Sequence, residues 1–307
     1  MERRTFVKKA GINTLGLGLI SSTTKSSLDY LEKLSEAFDY QDSILPSFFI
    51  GHGNPMNGIE DNVFSNEWKR LGQSVQKPKL ILCISAHWLT KGTYITAMYK
   101  PKTIHDFGNF PSELSEVQYP VPGAPQQAQA IIDMIESPTI HADHEWGLDH
   151  GSWTVIRQMF PKADIPVLQL SISYHESGKY HYELGQKLKE LRKRGVLIIG
   201  SGNVVHNLRK VGFPKDISAE EGMTREYGYD WAIEANELVK EKILSGDHKP
   251  LLDYTKLGEA VNLAVPTPDH YYPLLYALGT QDGEEEISIF NDNYVAGSLS
   301  MTSIQIG

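Results

Sequence analysis

The sequence predicts a single α/β domain with a central mixed, largely parallel sheet flanked by helices. Three observations lead there. Short, continuous apolar runs recur along the 307 residues, and runs without polar alternation are what strands covered on both faces require. Between them lie segments with helical spacing, so strand and helix alternate as in βαβ units. No internal repeat, low-complexity tract or linker-like composition divides the chain, and a chain of this length buries enough apolar surface to need no covalent staple.

The elements follow in order. Leu45-Pro46-Ser47-Phe48-Phe49-Ile50 reads as a first buried strand ending at Gly51, and 79–84 as a second ending at Ser85. Between them Val63, Phe64, Trp68 and Leu71 lie on one stripe of a helix at 61–71, completing a strand-helix-strand unit. Strands at 93–99, 165–172 and 195–200 come next, with helices at 125–135, 152–159, 180–193 and 224–244. The last helix carries Tyr227, Trp231, Ala235, Leu238 and Ile243 on one stripe. Segments 286–290 and 298–306 alternate in polarity and close the chain as antiparallel strands.

Composition narrows the partners. Lys and Arg number 29 against 38 Asp and Glu, a net charge of -9, which offers no basic footprint for nucleic acid and little attraction to anionic lipid. Small molecules are the expected partners. The single cysteine, Cys83, sits in the apolar run 80–84, so no disulfide can form within one chain, and it reads as a core residue, not a reactive thiol. Near the start, Arg3-Arg4 precede Phe6 and the Gly-rich apolar stretch 10–20, which is shorter than the roughly 20 residues a bilayer span needs. Residues 1–28 resemble a twin-arginine export signal of the kind used for proteins that fold before crossing a membrane, so an exported or periplasmic location is expected. The alternative is a basic arm on a cytoplasmic protein. Residues 29–307 then form the catalytic domain, with no integral membrane part.

Histidines carry the chemistry. Four stand at the ends of apolar or Gly-rich segments, in Gly51-His52-Gly53-Asn54-Pro55, Ser85-Ala86-His87-Trp88, Val205-His206-Asn207 and Pro268-Asp269-His270-Tyr271. Imidazole is the commonest protein ligand for Zn, Fe, Cu and Ni, and seating it just past a buried strand fixes its direction while leaving one side of a metal open. In open α/β sheets ligands bind beyond the carboxyl ends of the strands, where His52, His87 and His206 are expected to converge. Prolines around Asp269 would stiffen the loop that holds His270. His150 lies in Gly147-Leu148-Asp149-His150-Gly151-Ser152-Trp153 at a helix start and reads either as an acid or base beside the site or as a helix cap. His105, in a long aromatic loop, reads equally as part of a cover over a cleft or as surface packing. His141, His144, His175, His181 and His248 read as structural or exposed. No Gly-x-Ser-x-Gly elbow, phosphate loop, His-Glu-x-x-His or Cys-x-x-Cys occurs, and Gly200-Ser201-Gly202-Asn203 lacks the third glycine and downstream acid of a dinucleotide site.

Taken in order, these blocks, with His105-Asp106-Phe107, Tyr119-Pro120-Val121-Pro122-Gly123 and Tyr271-Tyr272-Pro273, resemble the class III extradiol ring-cleavage dioxygenases, in the 4,5-DOPA dioxygenase-like branch. The resemblance implies one mononuclear metal held by His52, His87 and a third ligand at His270: Fe(II) for activity, with Zn(II) a common occupant in this branch. It implies that His206 is catalytic and approaches the metal as a fourth ligand, and that His150 is a second active-site histidine. The wider family uses two histidines and a carboxylate, whereas the matching position here is His270, with Asp269 next to it. The expected substrates are a small aromatic diol, such as DOPA, and O2. Two other readings use the same histidines: a Zn hydrolase with His150 or His206 as proton shuttle, and a metal-binding scaffold without catalysis.

Overall fold

The computed structural model describes residues 37, 38, 40, 41 and 43–307, so the export-signal reading of 1–28 lies outside the described residues. The elements along the chain are β1 (Ser47–Gly51), α1 (Val63–Ser74), β2 (Leu80–Thr90), β3 (Thr93–Thr96), α2 (Pro125–Met134), β4 (Ile140–Asp143), α3 (His150–Met159), β5 (Val167–Ser173), α4 (Gly178–Leu188), β6 (Val196–Gly202), α5 (Asp230–Leu244), α6 (Glu259–Ala264), α7 (Tyr272–Gly279), β7 (Ile287–Phe290), β8 (Tyr294–Val295), β9 (Leu299–Ser300) and β10 (Ser303–Ile306). Eight strands form one sheet in the order β4-β3-β5-β2-β6-β1-β10-β7, and β8 pairs with β9. The inner strands β5, β2, β6 and β1 are mutually parallel. β3 joins one side and β10 the other in antiparallel pairing. The predicted α/β architecture is the one observed.

Both faces of the sheet are covered, which is why β1, β2 and β6 carry apolar runs without alternation, while β5 buries Gln169, Ser171 and Ser173 among its apolar residues. Phe49, Leu82, Leu168 and Ile198 face a core built with α4, α5, α6 and α7. Phe48, Ile50, Ile81, Cys83 and Leu197 face the opposite core, built with α1 and α3. Cys83 is fully buried there. α1 starts at a capping box in which the Asn62 side chain accepts from the Phe64 and Ser65 amides, and Ser65 accepts from the Asn62 amide.

Several boundaries differ from expectation for local reasons. β2 does not stop at Ser85. It runs on through His87 to Thr90, with a shift in register against β5 between Ile84 and Leu89. The helix expected at 224–244 begins only at Asp230, because Tyr227 and Tyr229 donate their amides to Tyr294 and Gly297 in extended pairing. Its buried line is Ala232, Ala235, Asn236, Val239 and Ile243. The helix expected over 180–193 ends at Leu188 and passes into a 3-10 turn closed by Gly195 in the left-handed region, φ 76°. The last expected strand is split into β9 and β10 around Met301 and Thr302.

Candidate metal centre

His52 follows β1 directly. Its amide donates to the Gly202 carbonyl at 3.1 Å, and its own carbonyl accepts from Asn57 Nδ2 at 3.0 Å, so the residue is held at both ends of its peptide. The turn away from it passes through Gly53 at φ 58°, a conformation that glycine adopts without strain. His87 occupies the irregular stretch of β2, where the change of register re-aims the side chain, and its amide donates to Ser85 Oγ at 3.2 Å. His270 arrives from the far end of the chain in the turn before α7. Its carbonyl accepts from the Asn203 amide at 2.9 Å, and a Cβ at Gly202 would lie 2.1 Å from that carbonyl oxygen. The glycines of Gly200-Ser201-Gly202 therefore admit the backbone around His270 and α7 against β6.

These three segments bring one potential ligand atom each from His52, His87 and His270 to within 4.8 Å of one another. His52 Nε2 and His87 Nε2 are 3.2 Å apart, and His270 Nε2 is buried with no hydrogen-bond partner. The opposite nitrogens all face oxygen: His52 Nδ1 to Ser201 Oγ at 3.0 Å, His87 Nδ1 to Asp106 Oδ2 at 3.6 Å, His270 Nδ1 to Asp269 Oδ2 at 2.5 Å. Oxygen on the far side of each ring, with the Nε2 atoms of His52 and His87 turned to one another and that of His270 left without a partner, is a donor set suited to a divalent metal. The residues fit a bound ion.

The remaining expected residues flank this cluster. His150 is the first residue of α3 and its ring lies 3.9 Å from that of His87, centroid to centroid. Asp106 Oδ1 accepts the His150 amide at 2.9 Å and lies 3.0 Å from His150 Nδ1. His206 is on the other flank, stacked on His270 with centroids 3.5 Å apart and planes 5° from parallel. It groups with Asp269 and His270, not with His52 and His87. A backbone bridge to Leu299 and a hydrogen bond donated by its amide to the Ala264 carbonyl at 2.9 Å hold it there. His105 does not enter the cluster; its Nε2 meets the Val117 carbonyl at 2.9 Å, while its neighbour Phe107 sets an edge against His150. His181 and His248 are buried, with Tyr276 and Tyr182 as their respective partners.

Burial lowers the basicity of His52 and His270 well below the ordinary imidazole value, and neighbouring imidazoles push the same way. His87 is brought down to about 3, by burial and by His150, against the pull of Asp106. Burial also takes His206 down to about 4, with Asp269 opposing. All four rings are thus neutral near pH 7, the state in which imidazole binds metal. For Asp106, burial works against ionisation, but its contacts with His150 prevail and hold the carboxyl below its usual range. The fully buried Asp149 is shifted up by burial and by Asp106, with hydrogen bonds from Ser85 and Gln169 opposing.

Sequence reasoning did not single out Asp106, Asp149 or Ser201. The available signal for Asp106 was its place beside His105 and Phe107 in the aromatic loop; for Asp149 it was the Asp-x-x-Ser pattern of an N-cap, which the structure shows as Asp149 accepting from the Ser152 amide at 3.1 Å.

Residues 48–302 match a family described as the catalytic LigB subunit of aromatic ring-opening dioxygenase. The chain is 45% identical over 267 residues to a 4,5-DOPA dioxygenase extradiol of Escherichia coli strain K12, covering 86% of this chain and 95% of that protein. It is 35% identical over 270 residues to the protein of the same name from Beta vulgaris, covering 86% and 97%. A crystal structure of an uncharacterised Escherichia coli K12 protein superposes with a TM-score of 0.73 at 41% identity, covering 86% of this chain and all of the other. With its sheet, its clustered imidazoles and a family match running nearly from β1 to β10, the chain belongs to the LigB family of extradiol aromatic ring-opening dioxygenases.

Proposed function

We propose that this protein opens the ring of a catechol beside its two hydroxyls, incorporating O2, with one metal ion held by His52, His87 and His270. The observation that carries the reading is the convergence of one candidate ligand nitrogen from each of those three neutral rings to within 4.8 Å of the others, one ring having a buried, partnerless Nε2. When bound, Fe(II) supplies an open face that acidifies the diol and lets electrons pass from the ring to O2.

The chain's own groups do the rest. His150 keeps Nδ1 beside Asp106, so its other nitrogen is left to take a proton from a catechol hydroxyl. His206, stacked on His270, stands on the other flank to hold or return a proton during ring opening. Three neutral imidazoles would leave the double charge of a bound ion intact, a charge that a deprotonated catechol would offset. Asp106 and Asp269 place their charges behind the rings instead of on the ion, which strengthens the imidazoles as donors. DOPA is the first diol to try, since the relatives bear its name.

Protein loaded anaerobically with Fe(II) and given DOPA and then O2 is expected to form a yellow ring-opened product with matching oxygen uptake. No uptake across a panel of catechols sinks the reading. So does hydrolysis by zinc-loaded protein without O2, which would favour a hydrolase on the same histidines.

A further inference from the structure

We propose that Ser201 is a positioning residue that sets which nitrogen His52 offers to the centre; the inference rests on the metal-site reading above. Ser201 is fully buried at the carboxyl end of β6. Its Oγ lies 2.5 Å from the Gly151 carbonyl oxygen and 3.0 Å from His52 Nδ1. Two oxygens that close repel unless a hydrogen lies between them, so the single hydroxyl proton points at Gly151. The serine oxygen can then only accept from His52, which places the imidazole proton on Nδ1. Nε2 is left bare, 3.2 Å from His87 Nε2.

The relay is built from sheet register. β2 and β6 pair Ser85 with Ser201, so two buried serines sit side by side at the ends of adjacent parallel strands. Both reach the first turn of α3: Ser85 donates to Asp149 Oδ1 at 2.6 Å, and Ser201 to the Gly151 carbonyl. Each also holds one cluster histidine, since Ser85 accepts the His87 amide and Ser201 accepts from His52. Gly151 fits between them because a Cβ there would come 2.5 Å from Ser85 Oγ and 2.8 Å from His87 Cδ2. A serine serving only the sheet would have no need of His52. One serving the helix alone would leave His52 Nδ1 without the oxygen that the other two rings find in Asp106 and Asp269.

The test measures Zn(II) affinity of the metal-free protein by competition with a chelating dye, which reads the site without turnover. Ser201→Ala is expected to bind 10- to 100-fold more weakly, the range seen when such supporting partners are removed, and Ser201→Thr, which keeps the hydroxyl, within a few-fold of the parent. Nitrogen-15 NMR of the parent's histidines reads the tautomer directly and needs no variant to fold. A His52 ring protonated on Nε2 overturns the inference, as does a folded Ser201→Ala that binds zinc like the parent. A parent that takes up no equivalent of zinc overturns the metal-site reading and this inference together, whereas zinc-binding parent and Ala variants of equal affinity overturn this inference alone.

Discussion

Asp106 touches two histidines with one carboxylate, Oδ1 toward His150 and Oδ2 toward His87. Asp106→Asn keeps an oxygen for the His150 amide and removes the charge, so the effect should appear in turnover more than in folding. On the proposed reading, kcat for catechol oxygenation falls about 10- to 100-fold, as expected when a proton-transferring imidazole loses its anchor. Steady-state oxygen consumption checks this, and an unchanged kcat would mean that the carboxylate merely secures its loop. At this scale the sequence announced the histidines and, beside His270, Asp269, but not the more distant supports. A histidine beside a glycine turn or at a strand end advertises itself, whereas Asp106 and Ser201 acquire their roles only through partners that are 44 and 149 residues away, respectively.

Among the elements, β6 and α7 meet where side chains cannot fit. A Cβ at Gly200 would lie 2.3 Å from the Pro273 carbonyl oxygen, a backbone atom that cannot swing aside. Gly200→Ala is expected to cost on the order of 2 kcal/mol through overpacking and to lower the melting temperature by roughly 3 °C. Gly108→Ala, where a Cβ meets nothing within 4 Å, should shift it by about a degree at most. Equal shifts for the two variants, read by calorimetry, would refute the close-contact argument. β1, β2 and β6 were legible because burial on both faces leaves a short apolar run in each, and β5 was legible although its buried Gln169, Ser171 and Ser173 interrupt its run. α7 was not, since a helix buried on every side has no polar face to betray its period, and β4 spans only four residues with its middle exposed. The continuation of β2 past Ser85 escaped notice because a histidine and a bulge interrupt its apolar run without ending its pairing.

Across the whole molecule, neutral buried imidazoles make folding sensitive to acid. Burial takes His181, which lies outside the histidine cluster, down to about 3, and takes His87 to about the same value with help from His150. Above pH 6.5 the histidines of folded and unfolded chains are both neutral and no stability is lost. Below it the unfolded chain takes up protons that the fold refuses, so stability declines as pH falls toward the folded values. Each such ring costs about 1.4 kcal/mol per pH unit in that window. The melting temperature of metal-free protein is therefore expected to fall steadily from pH 6.5 to pH 5, above the range where most carboxylates titrate. A flat profile there, measured by circular dichroism, would mean that these rings are charged in the fold.

The three rings proposed to grip the ion come from positions 52, 87 and 270, and the last strand of the sheet, β10, is inserted between β1 and β7. A ribosome delivers the first two long before the third. On that reading no nascent fragment can capture the ion tightly, and loading waits until almost the entire polypeptide has emerged and closed. A copy truncated before His270 is then expected to hold the ion far more loosely than the whole chain.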